Sequence, residues 1–113
     1  MHELSIVIDL VALCEENMRA NNATEIEEVH VKIGRLSGVE PHLLKVAFET
    51  FKKDSVCENA KLVLNLQDVI VRCKECGEQN ILKENEFLCP SCDSNKLDVL
   101  DGEEMYLMRL VMK

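Results

Sequence analysis

The sequence predicts an α/β (α+β) fold in which a small mixed β-sheet of about three strands packs with two helices and carries an inserted cysteine-rich module. Three observations predict it. Helical and alternating apolar patterns succeed one another through the first 70 residues, a polar stretch with paired cysteines follows, and an apolar segment closes the sequence. With 113 residues, the chain has room for one compact domain and a small appendage.

The first helix is expected from residue 4 to about residue 20. Its apolar side chains recur at helical spacing and predict one buried stripe, formed by Leu4, Val7, Val11, Cys14 and Met18. Asn21-Asn22 then ends the helix, because Asn tolerates turn conformations.

A strand and a second helix follow. From Val29 to Ile33 apolar residues alternate with His30 and Lys32, which is typical of a strand with one wet face. Pro41 suits the first turn of the next helix, and Glu40 suits the positive end of its dipole. The expected apolar stripe of that helix is Leu44, Ala47, Phe48 and Phe51.

Two further strands complete the pattern. Alternation starting at Leu62 predicts a strand that runs on towards Val71, and the segment Met105–Met112, with Arg109 as its one charge, predicts a well-buried last strand. The cysteine-rich stretch lies between them. We therefore expect an α/β domain made of residues 1–70 and 103–113, and a zinc-ribbon (rubredoxin-like) domain made of residues 71–102.

Charge and composition exclude several classes of function. Thirteen Lys+Arg against 21 Asp+Glu give a formal charge of −8, which repels a phosphate backbone, and aromatic residues at 4% leave no platform on which bases could stack. No apolar run is long enough to span a bilayer, and no export signal opens the sequence. We expect a cytoplasmic protein that binds neither nucleic acid nor membrane.

Four of the six cysteines form two CxxC pairs separated by 12 residues: Cys73, Cys76, Cys89 and Cys92. Two thiolates spaced in this way can bind one ion from a tight turn, and two such turns complete the tetrahedral S4 site that Zn²⁺ accepts. Gly77 can supply a positive φ after the first turn. Such a site has no open position for water, so it predicts a structural role.

Other uses of these cysteines remain open at this point. Iron in a rubredoxin-like site takes the same four ligands, and free or redox-active thiols are a further alternative. A thioredoxin-like motif needs a single CxxC at a helix start in a βαβ unit, which this pattern lacks. Of the two remaining cysteines, Cys14 is expected to be a small buried hydrophobe.

The first three residues, Met1-His2-Glu3, offer an unusual set of nitrogen donors. The His2 imidazole and its backbone nitrogen form a six-membered chelate ring, which the Met1 amine and the Glu3 backbone nitrogen extend on either side. Four nitrogens in one plane suit Ni(II) or Cu(II). The alternatives are an exposed His2 near a frayed end, and a Glu3 that only favours the helix dipole.

The whole sequence resembles the hydrogenase nickel-incorporation proteins of the HypA type. The residues that carry the resemblance are the opening Met1-His2-Glu3, the loop Gly34–Val39, Ala47-Phe48-Glu49, the paired CxxC motifs and Gly102-Glu103-Glu104. The resemblance implies that His2, Met1 and Glu3 bind nickel as transient cargo and that the four cysteines hold structural zinc. Where some relatives carry a histidine beside the CxxC pairs, this chain has Gly77 and Asp93.

The resemblance further implies a metallochaperone that delivers Ni(II) to the large subunit of a [NiFe] hydrogenase, together with a hydrogenase maturation GTPase. The alternative is a zinc-ribbon adaptor that binds another protein without nickel. An enzyme is not expected, since the cysteine site is closed and the three histidines are scattered. His30 and His42 are expected to be solvated residues.

Overall fold

The structure is a computed structural model that describes residues 3–82 and 87–113. Its eight elements, in chain order, are α1 (Glu3–Ala20), β1 (Ile26–Gly34), α2 (Pro41–Phe51), β2 (Lys61–Gln67), β3 (Val69–Cys73), β4 (Gln79–Leu82), β5 (Leu97–Asp101) and β6 (Met105–Met112). The strands form two three-stranded sheets, ordered β2-β1-β6 and β4-β3-β5. The predicted fold class is confirmed, because two helices accompany a small mixed sheet and the cysteine-bearing strands lie between β2 and β6.

The first sheet is mixed because of how its strands are connected. Its central strand β1 runs parallel to β2 and antiparallel to β6. Parallel neighbours require a crossover connection, and α2 supplies it. The apolar residues of β1, with Val29 and Val31 fully buried, pack against α1 and α2 in one hydrophobic core.

The buried stripe of α1 differs at its start from the prediction. Val7, Val11 and Cys14 are buried as expected, but Leu4 is 55% exposed and Glu3 is buried instead. The inward face follows the helical spacing of Glu3, Val7 and Cys14, and Leu4 lies about 100° around the helix from Glu3. The prediction for Leu4 was therefore wrong by one position.

The start of α2 agrees with the sequence pattern. Glu40 is the N-cap residue, its carboxylate accepts a hydrogen bond of 2.8 Å from the Leu43 backbone N–H, and Pro41 occupies the first turn. Of the predicted stripe, Leu44 and Phe48 are fully buried, whereas Phe51 at the helix end is partly exposed.

Two strand predictions need correction. The strand from Leu62 does not continue to Val71, because β2 ends at Gln67 and Val69 begins a strand of the other sheet. The last strand is not buried on both sides, since Tyr106 and Met108 are exposed. β6 is the edge strand of its sheet, and the two helices pack on the face that carries the core side chains.

The second sheet has its own small core. Val69, Val71 and Leu82 are buried, with Leu97 and Val99 packed against them. Three strands of four or five residues bury too little apolar surface to fold by that means alone. An additional source of stability must therefore hold this part of the chain together.

Candidate metal centres

The two CxxC motifs form matching turns. In the first turn, the Gly77 N–H donates to the Cys73 carbonyl at 2.9 Å, and Gly77 has a φ of 76°. In the second turn, the Asp93 N–H donates to the Cys89 carbonyl at 2.8 Å, and Asp93 has a φ of 59°. The positive φ predicted at Gly77 is confirmed. Its counterpart at Asp93 was not predicted, although Asp is one of the few other residues that tolerate this conformation.

The two turns bring the four cysteine sulfurs together. Their Sγ atoms lie within 4.8 Å of one another, with Cys73 to Cys92 at 3.5 Å and Cys76 to Cys89 at 3.7 Å. A tetrahedral ion with Zn–S bonds of about 2.3 Å places its sulfurs roughly 3.8 Å apart. The cluster can therefore hold one metal ion and fits a zinc ribbon. Its four sulfurs occupy all positions of a tetrahedral ion.

The electrostatics of the cluster favour a cation. The Cys76 backbone N–H faces the Cys73 sulfur at 3.5 Å and helps to lower the pKa of that thiol to about 6. At Cys92 the Ser94 backbone N–H acts in the same direction, but the neighbouring Cys73 thiol and burial outweigh it and raise the pKa to about 12. Four thiolates cannot all ionise at this distance without a positive charge between them.

Exposed charged residues connect the first turn to the chain before β5. Lys74 pairs with Asp98 at 3.3 Å, Lys96 pairs with Glu75 at 3.6 Å, and the Lys74 N–H donates to the Lys96 carbonyl at 2.8 Å. Ion pairs this exposed add little stability. The backbone hydrogen bond continues the pairing of β3 with β5 into the first turn.

The predicted nickel ligands are only partly within the described residues. Met1 and His2 lie outside them, and Glu3 is the first described residue, at the start of α1. The Glu3 side chain is buried, and its Oε2 atom has no hydrogen-bond partner among the described residues. A buried carboxylate oxygen needs a donor or a cation, so Glu3 is more than an exposed acid at the helix dipole.

The other two histidines have different surroundings. His30 is half-buried, and its Nε2 atom lies 2.7 Å from Glu28 Oε1. His42 is exposed in the first turn of α2. Within residues 3–82 and 87–113, the four cysteines are the one group of three or more His, Cys, Asp or Glu side chains close enough to share a metal ion.

The two cysteines outside the CxxC motifs meet in the main core. Cys14 of α1 and Cys57, in the segment after α2, are both fully buried and free, and they lie close enough for each thiol to shift the pKa of the other. The neighbouring Cys57 thiol and burial raise the pKa of Cys14. The burial predicted for Cys14 is confirmed. Its proximity to Cys57 was not predicted, because the two residues are 43 positions apart in a pattern that carries no pairing signal.

No described helix combines the length and the apolar character that crossing a membrane would require.

Comparison with known proteins extends along the whole chain. The family model described as "Hydrogenase/urease nickel incorporation, metallochaperone, hypA" matches residues 1–112. Among curated relatives, hydrogenase maturation factor HypA of Campylobacter jejuni is 52% identical over 114 residues, covering 100% of both chains. The protein of the same name from Shewanella oneidensis is 49% identical over 113 residues, covering 100% of this chain and 96% of the relative.

Two solved structures are also similar to this chain over nearly its whole length. The solution structure of the Ni metallochaperone HypA from Helicobacter pylori superposes with a TM-score of 0.71 at 38% identity, covering 99% of this chain and 97% of that one. A second solution structure of a HypA protein gives a TM-score of 0.75, also at 38% identity, with 100% and 97% coverage.

Proposed function

Because the chain belongs to the HypA family of nickel metallochaperones for hydrogenase maturation, we propose that it binds Ni(II) at its N-terminus and delivers it to the large subunit of a [NiFe] hydrogenase. The observation that carries the proposal is the family match over residues 1–112, which includes the opening Met1-His2-Glu3. The protein acts as a carrier of the ion and performs no catalysis of its own.

We propose that the nickel ligands are the Met1 amine, the imidazole and backbone nitrogens of His2, and the backbone nitrogen of Glu3. Ni(II) stabilises ionised amides in a square plane, which Zn²⁺ does not do. The first N–H groups of a helix have no intrahelical partner. Since Glu3 is the first residue of α1, its amide proton could be released to solvent and replaced by the metal without breaking a helical hydrogen bond.

The Glu3 side chain is compatible with a nickel chelate at the start of α1. Its buried Oε2 atom, without a partner among the described residues, places negative charge beside the first turn of α1. A nickel-bound tripeptide with two ionised amides adds no large positive charge, so a neighbouring carboxylate is tolerated and can accept a hydrogen bond from a ligand nitrogen.

Release follows from the small size of the chelate. The donors come from three consecutive residues, so a receiving site can replace them one at a time. Each donor must be deprotonated to bind, so affinity falls as the pH drops and protons compete for the imidazole and the amine. A weak, open site of this kind suits transfer better than storage.

We propose that Cys73, Cys76, Cys89 and Cys92 hold a structural Zn²⁺. The sulfur spacing and the low pKa of Cys73 support this assignment. A bound zinc ion would supply the charge that allows all four thiolates to ionise, and its binding free energy would supply the stability that the small core of the second sheet lacks. On this basis residues 71–102 form a zinc-ribbon domain, inserted into a nickel-binding domain of residues 1–70 and 103–113.

The proposed partners are a hydrogenase maturation GTPase and the hydrogenase large subunit. A formal charge of −8 favours docking against basic surfaces and disfavours nucleic acid. We place the protein in the cytoplasm, where reduced cysteines remain available for metal.

A nickel titration tests the proposal. Zinc-loaded, tag-free protein should bind one equivalent of Ni(II), with a weak visible absorption band typical of planar coordination, and His2→Ala should lose that band. His42→Ala is the matched control, because it removes an exposed histidine from another helix start, and it should titrate like the parent. Equal curves for the parent and His2→Ala would refute the terminal chelate and favour the zinc-ribbon adaptor.

A second experiment separates binding from delivery. A strain that lacks the chromosomal gene should regain hydrogenase activity with the parent protein, but not with His2→Ala at normal nickel supply. Restoration by His2→Ala equal to that by the parent would show that the protein's role in maturation does not depend on its nickel.

A further inference from the structure

Four large apolar side chains lie on the outer surface of the two helices and outside the core. Leu4 and Ile8 belong to the first turns of α1, Leu43 and Val46 belong to the first turns of α2, and each is between 44% and 55% exposed. Within each pair the residues are one helical turn apart, so they share one face of their helix. These four side chains are called the helix-pair patch below.

Leu4 and Ile8 lie on the side of α1 that faces α2. α1 packs over β6 and α2 over β2, at opposite edges of the first sheet, and the two helices contact each other between them. Leu13 of α1 is on the side of β6, because it lines a groove with that strand. At roughly 100° per residue, Leu4 is about 180° around α1 from Leu13, and Ile8 is about 140° from it.

The same reasoning places Leu43 on the side of α2 that faces α1. The ammonium group of Lys52, at the end of α2, donates to the Ala60 carbonyl at 3.1 Å, next to the start of β2. Leu43 is about 180° around the helix axis from Lys52, and Val46 is about 60° from Leu43. The four side chains of the patch therefore border the outer groove between the two helices.

Both helices run in the same direction, which brings their first turns to the same end of the first sheet. α2 connects the parallel strands β1 and β2, so it runs opposite to β1. α1 also runs opposite to β1, because it packs on β1 in the main core and only residues 21–25 join the two elements. The helix-pair patch therefore lies beside Glu3, where α1 begins.

Exposed carboxylates border the patch. Asp9 and Glu16 are exposed on α1, which contains no lysine and a single arginine in its last turn. Glu40 is exposed at the start of α2, and Lys45, the one lysine or arginine within that helix, lies about 160° around it from Leu43. An apolar groove with an acidic rim is complementary to a helix that carries leucine-type side chains on one face and lysine or arginine beside them.

We propose that the helix-pair patch binds a basic amphipathic helix of a partner protein. Recognition of a helix in a groove uses apolar side chains one turn apart, which is the spacing of Leu4 and Ile8. A partner bound here comes close to the start of α1, where it could receive nickel. That purpose rests on the proposed function, whereas the docking itself rests on the patch and its acidic rim. The same carboxylates would repel an anionic lipid surface.

Amide NMR spectra of the zinc-loaded, nickel-free full chain test the proposal. The probe is an amphipathic peptide of about 18 residues made of leucine and lysine, with the leucines at helical spacing. It should shift amide signals in the first halves of α1 and α2. A peptide with glutamate in place of lysine should bind at least about tenfold more weakly, and added salt should weaken the binding of the lysine peptide.

Substitutions in the patch make the result specific. Ile8→Ser and Val46→Ser should each raise the dissociation constant of the lysine peptide roughly fivefold, because each removes apolar surface that the peptide would cover. Leu100→Ser is the matched control, since Leu100 is similarly exposed but lies in β5 of the other sheet, and it should leave the constant unchanged. Because nickel is absent from these titrations, their failure would leave the terminal chelate standing, and failure of the chelate would leave the docking result standing.

Three outcomes would overturn the proposal. The first is the absence of amide shifts with the lysine peptide, and the second is a set of shifts confined to other parts of the chain. The third is a change of the amide signals of both helices with protein concentration when no peptide is present, which would show that a second copy covers the patch. Circular dichroism and zinc content should show that each variant is folded.

Discussion

Lys32 and Asp101 form an ion pair between the two sheets of the molecule. Lys32 Nζ, on the central strand β1 of the first sheet, lies 2.8 Å from Asp101 Oδ2, at the end of β5 in the second sheet. Lys32 also lies 5.3 Å from the centroid of the Tyr106 ring. Its side chain is only 18% exposed, so this pair is less solvated than the other ion pairs of the cysteine-bearing sheet.

We predict that Lys32→Met weakens the coupling between the two sheets in a pH-dependent way. The pKa of Asp101 is lowered by Lys32 and by the Gly102 backbone N–H. A lowered carboxyl pKa gives stability that is present above the unfolded value of about 3.9 and is lost as the pH falls through the folded value. At neutral pH the urea midpoint should fall in Lys32→Met, and the carboxyl ¹³C titration of Asp101 should move to higher pH.

The control for this prediction is Lys74→Met. Lys74 pairs with Asp98 at 3.3 Å, but both side chains are more than half exposed, so the urea midpoint should hardly move. An Asp101 titration that is unchanged by Lys32→Met would show that the pair makes no electrostatic contribution.

We predict that a methyl group at Gly34 is not tolerated. A Cβ at Gly34 would lie 2.3 Å from the carbonyl carbon of Gly102, where the chain returns from the second sheet. The atoms that the added Cβ would meet belong to the backbone of Gly102 and Glu103, so no side-chain rotation can relieve the clash. Gly34→Ala should lower the free energy of unfolding by about 3 kcal/mol or more, at or above the upper end for overpacking, as measured by urea denaturation.

Gly38→Ala provides the comparison for Gly34→Ala. Gly38 has a φ of 77° but no atom within 4 Å of an added Cβ, so only the left-handed backbone penalty of about 1–2 kcal/mol applies. A smaller loss of stability in Gly34→Ala than in Gly38→Ala would contradict the close approach of the two backbones.

The matching turns of the metal centre give a third prediction. Gly77 and Asp93 occupy equivalent positions with positive φ. Gly77→Ala should weaken zinc binding roughly five- to thirtyfold, because about 1–2 kcal/mol of backbone strain would oppose the turn. Asp93→Gly should bind as tightly as the parent or more tightly. Competition with a chromophoric chelator measures both, and equal affinities for all three proteins would disprove the role of the positive φ.

Removal of the metal should affect the two sheets differently. We predict that Cys73→Ser, or a strong chelator, disorders β3, β4 and β5, whose small core we propose to be stabilised by the metal, while the first sheet keeps its amide signals. Amide NMR spectra and zinc content measure the two effects. Cys57→Ser is the matched control. Cys57 lies in the main core, so this variant should still bind one zinc ion per chain. Loss of the first sheet on chelation would show that both sheets fold as one unit.

Much of this fold follows from short-range patterns in the sequence. Spacing of three and four residues identified both helices, alternation identified β1, and Glu40 with Pro41 marked the start of α2. The CxxC pairs predicted a four-sulfur cluster because two residues between thiols suffice to make a turn. The proposed nickel ligands Met1 and His2 lie outside the described residues, so the terminal chelate stays a prediction.

The errors concern features that depend on distant parts of the chain. Glu3 and Leu4 are neighbours in the sequence, and the angle at which α1 packs decides which of the two side chains is buried. Residues 61–73 alternate almost without interruption, yet Gln67 and Val69 belong to different sheets. The apolar segment Met105–Met112 has the composition of a buried strand, but only its position at the sheet edge determines its exposure.

By itself, the sequence determined the local elements, the two CxxC turns and the resemblance to HypA proteins, because each depends on residues a few positions apart. The tertiary structure alone decided the proximity of Cys14 to Cys57, the pairing of Lys32 with Asp101 and the position of β6 at the edge of its sheet. These relationships join segments separated by tens of residues. They depend on how helices and sheets pack, and no periodicity along the chain encodes that packing.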